Sequence, residues 1–177
     1  MSRDNLITPR RRAVIITGAG SGIGAAISRR LGVDGWHVVL AGRRRPLIED
    51  VAEDIRKAGG SAQAVCADVT RSSDVAKLID AAPESLDALI HCAGFGQCKS
   101  IDELDETEWR NCLDIAVTAA FLTAKAALPK LRATPQGEGH IIQVASLASA
   151  GTWNMELAYG TAKGAQLKFH LHLANQL

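Results

Sequence analysis

Neither sign of charge predominates in this sequence of 177 residues. Twenty lysines and arginines stand against 19 aspartates and glutamates, which leaves a formal net charge of +1 at pH 7. This balance argues against a protein dedicated to nucleic acids or to anionic membranes. One short basic run, Arg10, Arg11 and Arg12, supplies too few phosphate contacts to change that interpretation. No apolar run approaches the roughly 20 residues that cross a bilayer, so neither a nucleic-acid nor a membrane partner is predicted.

Cysteine is also scarce. The spacings of Cys66, Cys92, Cys98 and Cys112 match no metal-binding knuckle, so we predict no metal site. The first residues contain no apolar segment of the secretory type, and Asp4 disfavours a transit peptide. We therefore expect reduced thiols and a cytoplasmic location. The length and the hydrophobic share of 47% are typical of one globular domain.

Short apolar runs alternate with longer amphipathic segments along the chain. Runs such as 13–17 and 37–41 are continuous and rich in β-branched residues, as in strands buried on both faces of a parallel sheet. Strand and helix alternate, which predicts right-handed βαβ units and a doubly wound α/β domain over 13–177, preceded by a lead-in over 1–12. The predicted strands are 13–17, 37–41, 61–67, 87–91 and 140–145, and the predicted helices are 22–33, 46–58, 72–82, 106–131 and 156–176.

The most distinctive turn joins the first predicted strand to the first predicted helix. Residues 17–24 read T-G-A-G-S-G-I-G, with Gly18, Gly22 and Gly24 at a G-x-x-x-G-x-G spacing. Glycines allow backbone amides to approach a pyrophosphate, and a helix N-terminus supplies free N–H groups and a positive dipole end. The common G-x-G-x-x-G fingerprint would need glycine at Ile23. The turn favours dinucleotide binding, and a tight turn without a ligand is the alternative.

The end of the second strand bears on which nicotinamide cofactor binds. An acidic residue there binds the ribose hydroxyl of NAD, whereas an arginine accommodates the 2′-phosphate of NADP. The sequence has Arg43, Arg44 and Arg45 and no carboxylate at this position. A guanidinium donates two parallel hydrogen bonds to a phosphate. We therefore expect NADP rather than NAD, the alternative being that these arginines lie along a solvated helix start.

Tyr159 and Lys163 are four residues apart at the start of the last predicted helix, so they share one helix face. A neighbouring ammonium stabilises a phenolate, which makes Tyr159 a candidate acid for carbonyl reduction or base for alcohol oxidation. Ser146 follows the fifth strand, where active groups collect in open parallel sheets, and its hydroxyl could orient a substrate oxygen. A serine that only caps a turn is the alternative for Ser146.

These landmarks, in this order, resemble those of the short-chain dehydrogenase/reductase family. Residues 17–24 match the family's T-G-x-x-x-G-I-G in full, and Asp68 with Val69 matches its acidic position after the third strand. Residues 91–94, H-C-A-G, match its N-N-A-G in part. Ser146 lies thirteen residues before Tyr159, as the family places it, and Tyr159 with Lys163 matches Y-x-x-x-K.

The resemblance implies an NAD(P)-dependent oxidoreductase that transfers hydride between the cofactor and a carbonyl or secondary alcohol. Tyr159 would be the proton donor, Lys163 would hold the nicotinamide ribose and favour the ionised phenol, and Ser146 would polarise the substrate. The family also implies a Rossmann sheet in the order 3-2-1-4-5 and a homo-oligomer, either a dimer or a tetramer. The implied cofactor-binding residues are Thr17, Gly18, Ser21, Gly22, Ile23, Gly24, Arg43, Arg44, Asp68, Val69, Cys92, Ala93, Gly94, Tyr159 and Lys163.

Two departures from the family pattern bear on activity. Ala116 stands where the family has an asparagine that keeps a local helix irregularity and holds a water beside the lysine, and alanine has no polar group for either task. We therefore expect Ala116→Asn to raise turnover. The chain also stops where family members continue with a sixth strand and a substrate-binding flap, so we expect a C-terminal truncation and an exposed fifth strand. A catalytically silent dinucleotide-binding scaffold, or an incomplete fragment of a longer oxidoreductase, remains the alternative function, and the substrate cannot be read from the sequence.

Overall fold

The computed structural model describes residues 10–96, 98–135 and 138–177. These residues form a parallel sheet of five strands in the order β3-β2-β1-β4-β5, as the family resemblance implies. Each predicted strand is present, and its observed ends differ from the predicted ones by no more than two residues. The strands are β1 Ala13–Thr17, β2 His37–Gly42, β3 Ser61–Cys66, β4 Ala88–His91 and β5 His140–Gln143.

Helices cover both faces of this sheet. Alternate residues of β1 point to opposite sides, so Ala13 and Ile15 join one apolar cluster while Val14 and Ile16 join the other. The helices α1 and α2 pack on the second cluster, and α3, α5 and α6 pack on the first. The helices are α1 Gly22–Val33, α2 Arg45–Lys57, α3 Ser72–Asp80, α4 Glu106–Leu113, α5 Ala119–Arg132 and α6 Leu157–Ala174.

The predicted helix 106–131 is present but not uniform. A π-helical turn, Asp114–Thr118, joins α4 to α5. Within the run Glu106–Arg132, a stretch of 18 residues has a mean hydropathy of 1.4, so this run is long and apolar enough to cross a membrane by length and composition, contrary to the sequence-based expectation. This is weak evidence for a span, because a core helix passes the same test. Here Ala120, Ala127 and Leu131 are buried.

The arginines of the predicted lead-in have structural partners, although residues 1–9 lie outside the described part of the chain. Arg10 donates to both carboxylate oxygens of Asp87, at 2.5 and 3.0 Å, and Asp87 also accepts from the Ala13 backbone N–H. The guanidinium of Arg12 lies 4.4 Å from the centre of the Trp36 ring. These contacts fix the start of β1 and account for part of the basic run without a nucleic acid.

The strand register brings the carboxyl ends of the strands level with one another. Thr17 pairs with Ala41 of β2 and His91 of β4, and His91 pairs with Gln143 of β5. The segments that follow these strands therefore meet along one edge of the sheet. In open parallel sheets this edge is where ligands bind.

Candidate active site

The glycine-rich turn after β1 packs against the segment that follows β4. Gly18 has a φ of +65°, and a Cβ at this position would lie 2.9 Å from the Ala93 Cα. A Cβ at Gly24 would collide with the Gly18 carbonyl oxygen. The Ala93 N–H donates to the buried Thr17 hydroxyl at 3.1 Å, which ties the two segments together. The turn therefore presents backbone at positions where a side chain has no room.

The N-terminus of α1 opens toward this edge of the sheet. The first N–H groups of a helix have no partner within it. Ser21 is the N-cap residue in an extended conformation, but its hydroxyl does not cap the helix, and the first turn contains no acidic residue. Free N–H groups at the positive end of the helix dipole, in a turn rich in glycine, can bind a phosphate.

Two arginines extend this site beyond the end of β2. Arg43 and Arg44 are exposed and line the same cleft, and the Arg44 guanidinium donates to the Ser21 hydroxyl at 3.2 Å. Arg45 differs, because it pairs with Glu49 at 3.6 Å and does not line the cleft. Arg43 and Arg44 thus place positive charge beside the helix N-terminus.

Asp68 supplies the one carboxylate among the described residues that line the cleft. Burial acts to raise the pKa of Asp68, but hydrogen bonds from the Thr70 hydroxyl and N–H, together with the charges of Arg43 and Arg71, lower it overall. The carboxylate is therefore ionised at neutral pH and held in one orientation. It lines the cleft together with the glycine turn.

The cleft has a volume of about 820 Å³, which is within the usual range for small-molecule sites. Burial raises the pKa of the Cys92 thiol to about 11, partly offset by the charge of Lys163. Cys92 is therefore a neutral wall residue rather than a nucleophile. The predicted residues that line the cleft are Gly18, Ser21, Gly22, Ile23, Gly24, Arg43, Arg44, Asp68, Val69, Cys92, Ala93 and Gly94.

Tyr159 and Lys163 lie in the first two turns of α6, next to this cleft rather than in its wall. The Lys163 Nζ is 6.0 Å from the centre of the Tyr159 ring. The Tyr159 ring packs beside Gly96, and a Cβ at Gly94 would lie 3.6 Å from the Lys163 Nζ. Lys163 is only 6% exposed, and this burial lowers its pKa. The predicted pair is thus brought together at the end of β4.

Ser146 lies on a short turn between β5 and α6. It is the N-cap residue of a single 3₁₀ turn, Leu147–Ser149, and its hydroxyl accepts from the Ala148 N–H at 3.2 Å. This turn packs against α6, because a Cβ at Gly160 would lie 3.5 Å from the Ala148 carbonyl oxygen. The capping role considered for Ser146 is therefore present. Its hydroxyl proton is not used in that contact and can be donated to another group.

A second cleft of about 670 Å³ borders the turn between β5 and α6. Trp153 and Met155 line it, together with residues near Lys99. Met155 has a φ of 62°, and its carbonyl accepts from the Lys99 N–H at 2.7 Å. This strained residue connects the segment after β4 to the start of α6.

The expectation that Ala116 cannot keep a helix irregularity is wrong. Ala116 lies within the π-helical turn, so the irregularity is present without an asparagine. His91 on β4 lies 3.2 Å through Nε2 from the Ile115 carbonyl and 3.2 Å through Nδ1 from the Thr17 hydroxyl. Burial lowers the pKa of His91 to about 4; the bond to Ile115 opposes this shift, and the charge of Lys163 adds to it.

His91 is therefore neutral, and its partners assign its tautomer. The Ile115 carbonyl can only accept, so Nε2 carries the ring proton and donates it there. Nδ1 is then the acceptor, and the Thr17 hydroxyl, which itself accepts from the Ala93 N–H, donates to it. An imidazole on the strand thus supports the irregular helix from outside it. This role of His91 was not predicted, although a polar residue in a buried strand was a signal for it.

Comparisons with known proteins agree with this architecture. The sequence profile of the family described as short chain dehydrogenase matches residues 12–177. An uncharacterised oxidoreductase of Staphylococcus aureus is 35% identical over 157 residues, which are 87% of this chain and 66% of the relative. This chain therefore spans about two thirds of the length of that relative.

Solved structures of the same kind superpose closely. A metagenomic short-chain oxidoreductase in complex with NADP has a TM-score of 0.87 and 30% identity, over 94% of this chain and 76% of that one. A variant of the actinorhodin polyketide ketoreductase with NADPH has a TM-score of 0.88 and 26% identity, over 94% of this chain and 65% of that one.

Proposed function

The chain belongs to the short-chain dehydrogenase family of oxidoreductases, and we propose that it binds NADP(H) and transfers hydride between this cofactor and a carbonyl compound or secondary alcohol. One observation carries the proposal: at the carboxyl edge of the sheet, the N-terminus of α1 and the guanidinium groups of Arg43 and Arg44 line a single cleft. Two solved structures that this chain resembles contain NADP or NADPH.

The residues present fit a dinucleotide. The backbone of the glycine turn and the free N–H groups of α1 would hold the pyrophosphate, since both Gly18 and Gly24 lie where a Cβ would collide with backbone atoms. Asp68 and Val69 would lie beside the adenine, and Ala93 and Gly94 would lie beneath the middle of the molecule. Lys163 would hold the nicotinamide ribose.

The preference for NADP rests on charge at the end of β2. The 2′-phosphate of NADP carries negative charge where NAD has a hydroxyl. Arg43 and Arg44 would bind this phosphate, and the end of β2 has no carboxylate that would repel it. Arg44 already donates to Ser21, so its guanidinium is held at the rim of the phosphate site. NAD would gain little from either arginine.

The chemical step needs one proton and one hydride. When bound, NADP(H) supplies or accepts the hydride. In the reducing direction the Tyr159 hydroxyl donates its proton to the carbonyl oxygen, and the Lys163 ammonium stabilises the phenolate that remains. The Ser146 hydroxyl donates a hydrogen bond to the same oxygen. In the oxidising direction the phenolate accepts the alcohol proton.

The cofactor assignment is tested by fluorescence titration with NADPH and NADH. We expect Arg43→Ala and Arg44→Ala each to weaken NADPH binding by about 10- to 100-fold, the value of a charged hydrogen bond, and to leave NADH binding unchanged. Arg45→Ala is the matched control, because Arg45 pairs with Glu49 outside the cleft. Tighter binding of NADH, unaffected by Arg43→Ala, would refute the preference.

The activity is tested by NADPH oxidation across a panel of aldehydes and ketones, with cofactor binding measured on the same sample. We expect turnover of at least one carbonyl compound. Binding without turnover by any compound would select a silent dinucleotide-binding protein instead. Absence of both would count against the cofactor site itself.

A further inference from the structure

The ammonium of Lys163 donates hydrogen bonds to two residues that have no role in the site described so far. It donates to the Val144 carbonyl at 2.9 Å and to the Gln166 Oε1 at 2.8 Å. An ammonium has three N–H donors, so two of them are committed to these acceptors. By tetrahedral geometry the third points away from both. Gln166 therefore helps to decide where Lys163 can donate.

Gln166 is an unusual residue for its position. It is 1% exposed and lies one turn beyond Ala162, on a helix face that continues with the apolar Phe169 and Leu173 packed on the core. Burial of an amide costs free energy unless its polar atoms find partners. Its Oε1 has the Lys163 ammonium, while its Nε2 has no partner among the described residues. A leucine would pack on this face without that cost.

We propose that Gln166 is a positioning residue for Lys163, whose amide oxygen orients the ammonium toward the Tyr159 hydroxyl and the cofactor ribose. The inference rests on the proposed function for what Lys163 then does. The contact between the two side chains stands on its own. Nothing in the Y-x-x-x-K pattern includes the third residue after the lysine.

This role suits the surroundings of Lys163. The titratable groups that face it are His91 at the end of β4, Cys92 directly after that strand and Tyr159 on its own helix, and none of them is a carboxylate. Within the described residues no Asp or Glu forms an ion pair with Lys163. The ammonium is therefore bound by uncharged oxygens, and no carboxylate competes with the Tyr159 phenolate for its charge. A carboxylate in place of Gln166 would neutralise it.

The test uses three variants of the full chain. Gln166→Met keeps the size and removes the acceptor, and Gln166→Glu keeps the acceptor and adds charge. Gln143→Met is the matched control, because Gln143 is a half-buried glutamine on β5 whose amide atoms are buried and have no hydrogen bond to Lys163 or to any other described residue. Circular dichroism establishes that each variant is folded.

Two readouts are measured. The first is the titration of the Lys163 amine in the free protein, followed by NMR of labelled lysine and assigned with Lys163→Arg. We expect its midpoint to fall in Gln166→Met, to rise in Gln166→Glu and to stay unchanged in Gln143→Met. The second is NADPH affinity, which we expect to fall about tenfold in Gln166→Met, as for a lost charged hydrogen bond, and to be largely restored in Gln166→Glu.

The outcomes separate this inference from the proposed function. If the Lys163 titration moves as expected but the wild-type chain binds no NADPH, the positioning role stands and the cofactor assignment fails. If NADPH binds and Gln166→Met matches the wild type in both readouts, the positioning role is refuted. Equal shifts in Gln166→Met and Gln143→Met would also refute it, because the effect would then be one of packing.

Discussion

The two halves of the site are built in different ways. The half that would hold the pyrophosphate consists of backbone, a glycine turn and a helix N-terminus, and it is supported by β1, whose five residues are all buried. The half that would handle the proton consists of side chains on α6 and the turn after β5, an edge strand of alternating exposure. We conclude that substitutions in the first half act mainly through the fold, whereas those in the second act mainly through chemistry.

Gly18→Ala, in the pyrophosphate half, should lower the free energy of unfolding the most. The residue would keep a φ of +65° and place its Cβ 2.9 Å from the Ala93 Cα. Left-handed strain and overpacking together should cost about 3–5 kcal/mol, with loss of NADPH binding. Gly35→Ala is the control, since Gly35 has a φ of +86° and no neighbour within 4 Å. Denaturant unfolding of both variants measures the difference, and equal losses would contradict the close approach to Ala93.

A pH experiment tests the role of the buried His91, which contacts Thr17 on β1 and Ile115 in the π-helical turn. The pKa of His91 is lowered to about 4 in the folded chain, against about 6.5 when unfolded. Between these values the unfolded state binds a proton that the folded state does not, so stability falls as the pH drops from 6.5 to 4. The loss should be about 3 kcal/mol.

The control for this experiment is a pair of histidine variants. His91→Asn should flatten the pH dependence in that window, whereas His172→Asn, at an exposed site near the end of α6, should keep it. Urea unfolding at several pH values measures both. A wild-type slope retained by His91→Asn would show that another group titrates there.

Ala116→Asn has an intermediate expected effect, and the structure changes the reason. Ala116 is 3% exposed and packs with Ala158 and Ala162 of α6, so a larger polar side chain is overpacked by about 1–3 kcal/mol. The π-helical turn already exists, so the higher turnover expected from the sequence now depends only on the second task of the asparagine, which is to hold a water beside Lys163. Thr118→Asn, at an exposed position of the same turn, is the control. Thermal unfolding measures the stability of both variants against the wild type. An Ala116→Asn variant that is as stable as the wild type and turns over faster would favour the sequence-based expectation.

Tyr159→Phe, in the half that would handle the proton, should have the smallest effect on stability and a large effect on turnover. None of the described residues forms a hydrogen bond with its hydroxyl, so we expect a change within about 0.5 kcal/mol. Turnover should fall by about 10²- to 10⁴-fold, the usual contribution of a general acid, while NADPH binding persists. Comparable turnover in Tyr159→Phe and the wild type would remove Tyr159 from the chemistry.

The sequence predicted the fold well, because its information there is local. Buried parallel strands read as continuous apolar runs, and the glycine turn with its following helix is specified within eight residues, 17–24. The observed helix ends differ from the predicted ones by a residue or two, which is usual because helix ends fray. The partners of the site residues were harder to predict, because they come from distant parts of the chain.

Three examples show what was not predictable. The bond from His91 to the Ile115 carbonyl spans 24 residues, and the salt bridge of Arg10 with Asp87 spans 77. Gln166 is only three residues from Lys163, but its role depends on which helix face is buried and on the Val144 carbonyl nearby. A polar residue on an apolar helix face was the available signal.

The most direct test of the account is calorimetric titration of the wild-type chain with NADPH, beside the same titration of Gly18→Ala and Tyr159→Phe. We predict one NADPH per chain for the wild type and for Tyr159→Phe, and no binding for Gly18→Ala. A folded wild-type chain that binds no NADPH would contradict the assignment of the cleft after β1 as the cofactor site.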